Sequence, residues 1–271
     1  MPTPTAPRVE YPTFLAAIRS ESARFGEVLA TCDPAARVPA CPEWDAADLL
    51  WHLTGVQRFW AGIVSSRPAP PDPDAPELAR PTSYDGLLEA FAEHSAALVD
   101  ALAAADPGEP AWHWAPTQTV GTSYRRQAHE ALIHRLDAEQ TAGAVTPPDP
   151  ELAADGVLEA LDVMYGGDAP AWGAIDPGPH LVRVDLTDLG DAIWTRPGTF
   201  RGTDPESGHV YDGPHLQVVA DPDTSPDAVL SGTAADLDAW LWHRRDDSVV
   251  RVAGDPAAYA ALRAAIDQSL D

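Results

Sequence analysis

The hydrophobic period of this chain first changes a little past its middle, and that change restricts the fold more than any other feature. Up to about residue 165, apolar residues recur three and four apart, as they do on helices that bury one face. FLAAIRSESARFGEVLATC sets Phe14, Ile18, Phe25, Val28 and Leu29 on such a stripe. DLLWHLTGVQRFW, SYDGLLEAFAEHSAALVDALAAA and RRQAHEALIHRLDAEQ follow, separated by DPAARVPACPEW, the Pro-rich SSRPAPPDPDAPELARPT and a loop carrying Trp112, His113 and Trp114. Asp45 is placed to cap the second helix, with Asp48 in the capping-box position, and that helix should run to about Val64. Ser83 or Asp85 opens the third helix, and the fourth stops near Gly143.

Beyond TPPDP at 146–150, ELAADGVLEALDVMY is helical once more, and then the period becomes two. LVRVDLTDLGDAIWTRPG, HLQVVADP and DAVLSGT alternate apolar and polar residues as half-buried strands do. The helical AADLDAWLWHRRD, the strand SVVRVAGDP and the helical DPAAYAALRAAIDQSL close the chain. The expectation is α+β: a four-helix bundle over 1–147, then a smaller α+β domain over 148–271 with a mostly antiparallel sheet. Two domains also suit 271 residues, a length at which one core seldom suffices.

Charge narrows the list of partners. Asp and Glu number 42 against 17 basic residues, all Arg, for a formal net charge of −25, which argues against nucleic acid and anionic membranes as partners. No stretch approaches the roughly 18 apolar residues of a membrane span, and MPTPTAPRVEYPTF lacks a signal-peptide pattern, so a cytoplasmic protein is expected, monomeric or weakly oligomeric. In a reducing compartment Cys32 and Cys41 make a poor case for a structural disulfide.

Chemistry concentrates in three residues. Glu130 and His134 stand four apart on the fourth helical segment, hence on one face, and His52 lies on the second. Facing helices of a bundle commonly build metal sites, and two imidazoles with one carboxylate suit zinc or a similar divalent ion while leaving positions open. An ExxxH pair by itself is more often a solvated face or a helical ion pair than a ligand pair. Asp137 is placed either to orient the His134 imidazole or to pair with an Arg. His129 points about 100° from Glu130 and reads as a residue behind the ligands or at a helix interface, not as a ligand.

Five segments, VPACPEWDAADLLWHLTGVQRFWA, RRQAHEALIHRLDAEQTAG, VRVDLTDLGDAIW, VLSGTAADLDAWLWHRR and VRVAGDPAAYAAL, together resemble the mycothiol-dependent maleylpyruvate isomerase family. The resemblance implies a DinB-like bundle and a sterol-carrier-like C-terminal domain, with the metal on His52, Glu130 and His134. It further implies mycothiol as a thiol cofactor, whose thiolate adds to the double bond of a maleyl-type keto acid before bond rotation and elimination. A dicarboxylate substrate calls for guanidinium anchors. The resemblance assigns a catalytic role to Arg244, with Arg245 as the alternative, and Arg125 and Arg126 are further candidates for cofactor binding.

Three departures from the family pattern bear on the substrate. Glu43 and Asp45 replace Gly and Thr, Thr122, Ser123 and Tyr124 replace a more aromatic run, and His243 stands where Gly is common. A mycothiol S-transferase acting on another electrophile is therefore a competing expectation, as is a non-catalytic module that binds metal and an apolar ligand.

Overall fold

The computed structural model describes residues 6–268, and the chain divides into two compact units. Val9–Pro148 is one, and the chain from Asp149 onward is the other, which also takes in Arg8.

The first unit is a bundle of α1 (Tyr11–Leu29), α2 (Ala46–Ser66), α3 (Tyr84–Ala103) and α4 (Val120–Ala142). Each helix begins or ends on a local signal. Asp45 Oδ1 accepts the Asp48 N–H at 2.9 Å while the Asp45 N–H donates to Asp48 Oδ2 at 3.2 Å, a complete capping box at the start of α2. Ser83 Oγ accepts the Gly86 N–H, and Gly143 closes α4 at φ +77°, a left-handed conformation that costs glycine nothing.

Phe14, Ile18, Phe25, Val28 and Leu29 are all buried, as their stripe requires. A second buried cluster joins Leu49, Leu50, Leu53, Leu87, Phe91 and Ala138. The Pro-rich segment before α2 is more ordered than its composition suggests: β1 (Arg37–Val38) and β2 (Cys41–Asp45) pair antiparallel and lead the chain directly into the capping box.

α4 is buried on nearly every side although it is the most polar of the four helices. Ser123, Arg125, Arg126, Gln127, His129, His134, Arg135, Asp137 and Glu139 are all buried on it. Part of this is a structural network at its C-terminal end. Arg135 donates to Glu21 at 2.7 Å and to Glu139 at 3.0 Å, and Glu139 also accepts from Arg24 and Thr146. His129 packs edge-on against Phe14 of α1, which places it at a helix interface.

The second unit packs helices on a mostly antiparallel six-stranded sheet. α5 (Pro150–Glu159) runs on through a π turn at Ala160–Met164, and β3 (Gly173–Pro177) follows. β4 (Val182–Leu186) and β5 (Asp191–Thr203) form a hairpin, which divides the alternating segment 181–198 at Thr187–Gly190. Gly190 turns it with φ +68°. β6 (Val210–Val219) pairs along one edge of the long β5, while β3 and β4 share its other edge.

β7 (Ala228–Gly232) lies parallel to β4, and β8 (Arg251–Gly254) closes the sheet. Val182, Val184 and Leu186 point with Leu230 into a core completed by α5, α6 (Ala234–Leu241) and α7 (Pro256–Ile266). Arg8 is tied to this unit through its N–H to Asp155 and its guanidinium to Asp191, both at 2.6 Å. Among the described residues no helix is long and apolar enough to cross a membrane.

Candidate metal centre

α2 and α4 bring His52, Glu130 and His134 together, with one ligand atom from each inside a 4.8 Å group. Glu130 Oε1 lies 3.1 Å from His134 Nε2 and 3.7 Å from His52 Nε2. Zinc bonds of about 2.0–2.1 Å in a tetrahedron set ligand atoms about 3.3 Å apart, so these separations fit a divalent ion. Trp44, on β2, packs against the His52 ring with centroids 4.7 Å apart, and the His52 and His134 rings meet edge-on at the same distance. The side chains of Glu130 and His134 are largely enclosed, while His52 is the most open of the three at 34% exposed.

The surroundings hold these side chains in place. His134 Nδ1 lies 2.9 Å from Asp137 Oδ2. Asp137 thus orients the imidazole, and Arg135 makes its ion pairs elsewhere. Both His134 nitrogens face carboxylate oxygens, so a neutral ring can satisfy only one of them by donation. A cation is needed on the other side, either a second ring proton or a metal ion. Burial alone would lower the His134 pKa, but hydrogen bonds to Asp137 and Glu130 push it up to about 9.

Glu130 shows the complementary effect. Burial would raise its pKa, yet the hydrogen bond with His134, the nearby His52 ring and the Arg126 charge hold the carboxyl well below the usual range. Arg126 Nη2 donates to Glu130 Oε2 at 2.9 Å, leaving Oε1 to face the imidazoles.

The other sequence candidates separate. Arg125 and Arg126 are both buried on α4, and Arg126 is engaged with Glu130. Arg244 and Arg245 lie on the C-terminal unit in the turn after α6, not on a helix, because α6 ends at Leu241. The 100° rule for helical neighbours therefore does not apply to them. Arg244 is half-buried and donates to Trp242 O at 2.6 Å, whereas Arg245 is exposed and 3.6 Å from Asp236.

Two of the family departures have local explanations. Asp45 caps α2, a task that Thr also performs, and His243 sits at φ +59°, where Gly is the ordinary choice. Cys32 and Cys41 are not joined in a disulfide. Reading by motif passed over Gln127, although it precedes Glu130 by three residues and so shares the face of the ligands.

The chain is thus a two-unit α+β protein, a four-helix bundle in which two imidazoles and a carboxylate converge between the second and fourth helices, followed by a smaller sheet unit. Residues 15–139 match the mycothiol maleylpyruvate isomerase N-terminal domain, and residues 151–261 match the C-terminal domain of the same proteins. The chain belongs to the mycothiol maleylpyruvate isomerase family.

Two crystal structures of the mycothiol-dependent maleylpyruvate isomerase, one of a His-to-Ala mutant, share the fold, with TM-scores of 0.59 and 0.57. Both are 12% identical to this chain, over 92% of its length and 96% of theirs. A comparison with curated proteins gave no match.

Proposed function

We propose that this protein is a metal-dependent, thiol-using enzyme, with mycothiol as the thiol and an unsaturated keto acid of the maleylpyruvate type as the substrate. The observation that carries this reading is the convergence of His52, Glu130 and His134 within 4.8 Å, inside a domain of a mycothiol-dependent family. With metal and thiol bound, the site would supply a thiolate at neutral pH for reversible addition to the substrate double bond.

The chain's own residues do the positioning. Asp137 holds His134 by Nδ1, leaving Nε2 on the side of Glu130 Oε1 as the nitrogen that would bind an ion, and Arg126 neutralises the other oxygen of Glu130. His52, the most exposed of the three, leaves the approach open on its side. Zinc fits the donor set, and Arg244 is assigned to a substrate carboxylate on the strength of the family resemblance.

A mycothiol S-transferase would use the same site and differ only in retaining the sulfur–carbon bond. Conversion of maleylpyruvate with added mycothiol, set beside adduct formation on a panel of electrophiles, separates the two, and turnover without any thiol would overturn both. Metal analysis of the purified protein and of His52→Ala tests the site itself. About one divalent ion per chain is expected, largely lost in the variant, and unchanged content removes His52 from the ligand set.

A further inference from the structure

Two of the buried residues with unpartnered polar atoms lie on the helix that carries Glu130 and His134. Among the described residues, the Gln127 carboxamide is fully buried with neither its oxygen nor its nitrogen hydrogen-bonded, and Ser123 Oγ is buried and unpartnered as well. Ser123, Gln127, Glu130 and His134 succeed one another at spacings of four, three and four, so they share one face of α4.

His113 adds a further unpartnered atom, Nε2, on a ring only 1% exposed. Its Nδ1 accepts the Ala115 N–H at 2.9 Å, which leaves the ring proton on Nε2 as a donor. The ring lies within reach of the charge of Arg126, the residue preceding Gln127. A buried amide with no partner is destabilising, and Met or Leu in its place would remove that cost. Gln127 therefore makes sense where something other than the chain completes its hydrogen bonds.

We propose that Gln127 binds the amide group of the small thiol whose sulfur enters beside His52, Glu130 and His134; this rests on the thiol-using reading above. A carboxamide carries both a donor and an acceptor, so Gln127 can accept from the N–H of a trans ligand amide or donate to its C=O, and the Ser123 hydroxyl offers a further partner. The other unpartnered groups are uncharged, a hydroxyl and a neutral imidazole, and Arg126 is already engaged with Glu130. A carboxylate placed there would lose its hydration without gaining a countercharge, whereas an amide-bearing neutral chain loses little.

The test uses the zinc-loaded full chain and two neutral thiols, N-acetylcysteamine, which has an amide, and 2-mercaptoethanol, which has none. Calorimetric titration of the wild type and of Gln127→Met is expected to show about tenfold weaker N-acetylcysteamine binding in the variant. Binding of 2-mercaptoethanol should stay within twofold. The thermal midpoint of the thiol-free variant should rise, because an unpartnered buried amide has been removed; a structural hydrogen-bonding role would lower it.

Equal affinities in both proteins, or an equal loss for both thiols, would overturn the assignment and leave Gln127 to internal water or to packing. A lowered midpoint would overturn it too. Failure of the wild type to take up either thiol would instead refute the thiol-using reading, and this inference with it.

Discussion

At the residue scale, the histidines of the bundle are separated by what faces them. His134 has a carboxylate at each ring nitrogen and is pushed toward the charged form, while His113 is enclosed by Trp60 and Trp114 with no acid partner. Burial and the nearby Arg126 charge hold the His113 pKa down at about 4. In the unfolded chain that imidazole takes up a proton near pH 6.5, and in the folded chain it does not until about 4. Stability is therefore fully present above pH 6.5 and lost as the pH falls toward 4, by up to roughly 3 kcal/mol.

His113→Asn keeps an acceptor for the Ala115 N–H and cannot titrate. Denaturant unfolding of metal-free wild type and variant between pH 6.5 and 4 should show a shallower decline for the variant, and parallel curves would rule out a buried neutral His113. The ExxxH pair and Asp137 were legible in sequence because helical spacing alone aligns them. The enclosure of His113 was not, since it depends on Trp60 of α2 meeting the loop at 112–114 across a long sequence separation.

At the scale of elements, prolines, caps and periodicity located most helix ends, and the exceptions have physical causes. α6 should have continued through the arginines on its hydrophobic pattern, but it stops at Leu241 because the chain turns left-handed at His243. The Arg244 N–H then reaches back to Ala239 O at 2.7 Å, closing the helix as a glycine would. His243 Nε2 faces Ile266 O at 3.0 Å, and its ring lies near Tyr165, which compensates in part for the backbone conformation.

His243→Ala loses that side-chain contact and keeps the strain, whereas His243→Gly loses the contact and relieves the strain. The Gly variant should therefore be the more stable of the two by about 1 kcal/mol, seen as a midpoint about 2–4 °C higher. Equal midpoints would mean that the left-handed turn is not retained. β3 escaped notice for a related reason. GAIDP has two breakers in five residues and becomes a strand only because β5 is long enough to pair with it beyond β4.

At the scale of the whole molecule, the run TPPDP at 146–150, and not the change of period near residue 165, is the sequence trace of two separately built cores, since α5 packs with the sheet. The helices of Val9–Pro148 bury Phe14, Ile18, Phe25, Leu49, Leu50, Leu53, Leu98 and Leu102 among themselves, and the sheet unit buries its own set around Val182, Val184, Leu186 and Leu230. Every residue proposed to hold or orient the ion lies in the bundle: His52, Glu130 and His134 as ligands, Asp137 and Arg126 behind them.

A segment of that size is within the range of independently folding domains. Residues 9–148 expressed alone should therefore give a cooperative, strongly helical thermal transition by circular dichroism and bind about one divalent ion per chain, with an affinity within about threefold of the full chain. Because Arg244 is absent from the segment, isomerase or transferase turnover should be lost while the metal is retained. Arg244→Ala in the full chain should reproduce that pattern, with metal content unchanged and kcat/KM lowered by roughly 10²-fold, the loss expected when a charge-assisted contact of about 3 kcal/mol is removed. A bundle that folds but binds no ion would move the ligand assignment away from α2 and α4, and a bundle that does not fold would overturn its independence.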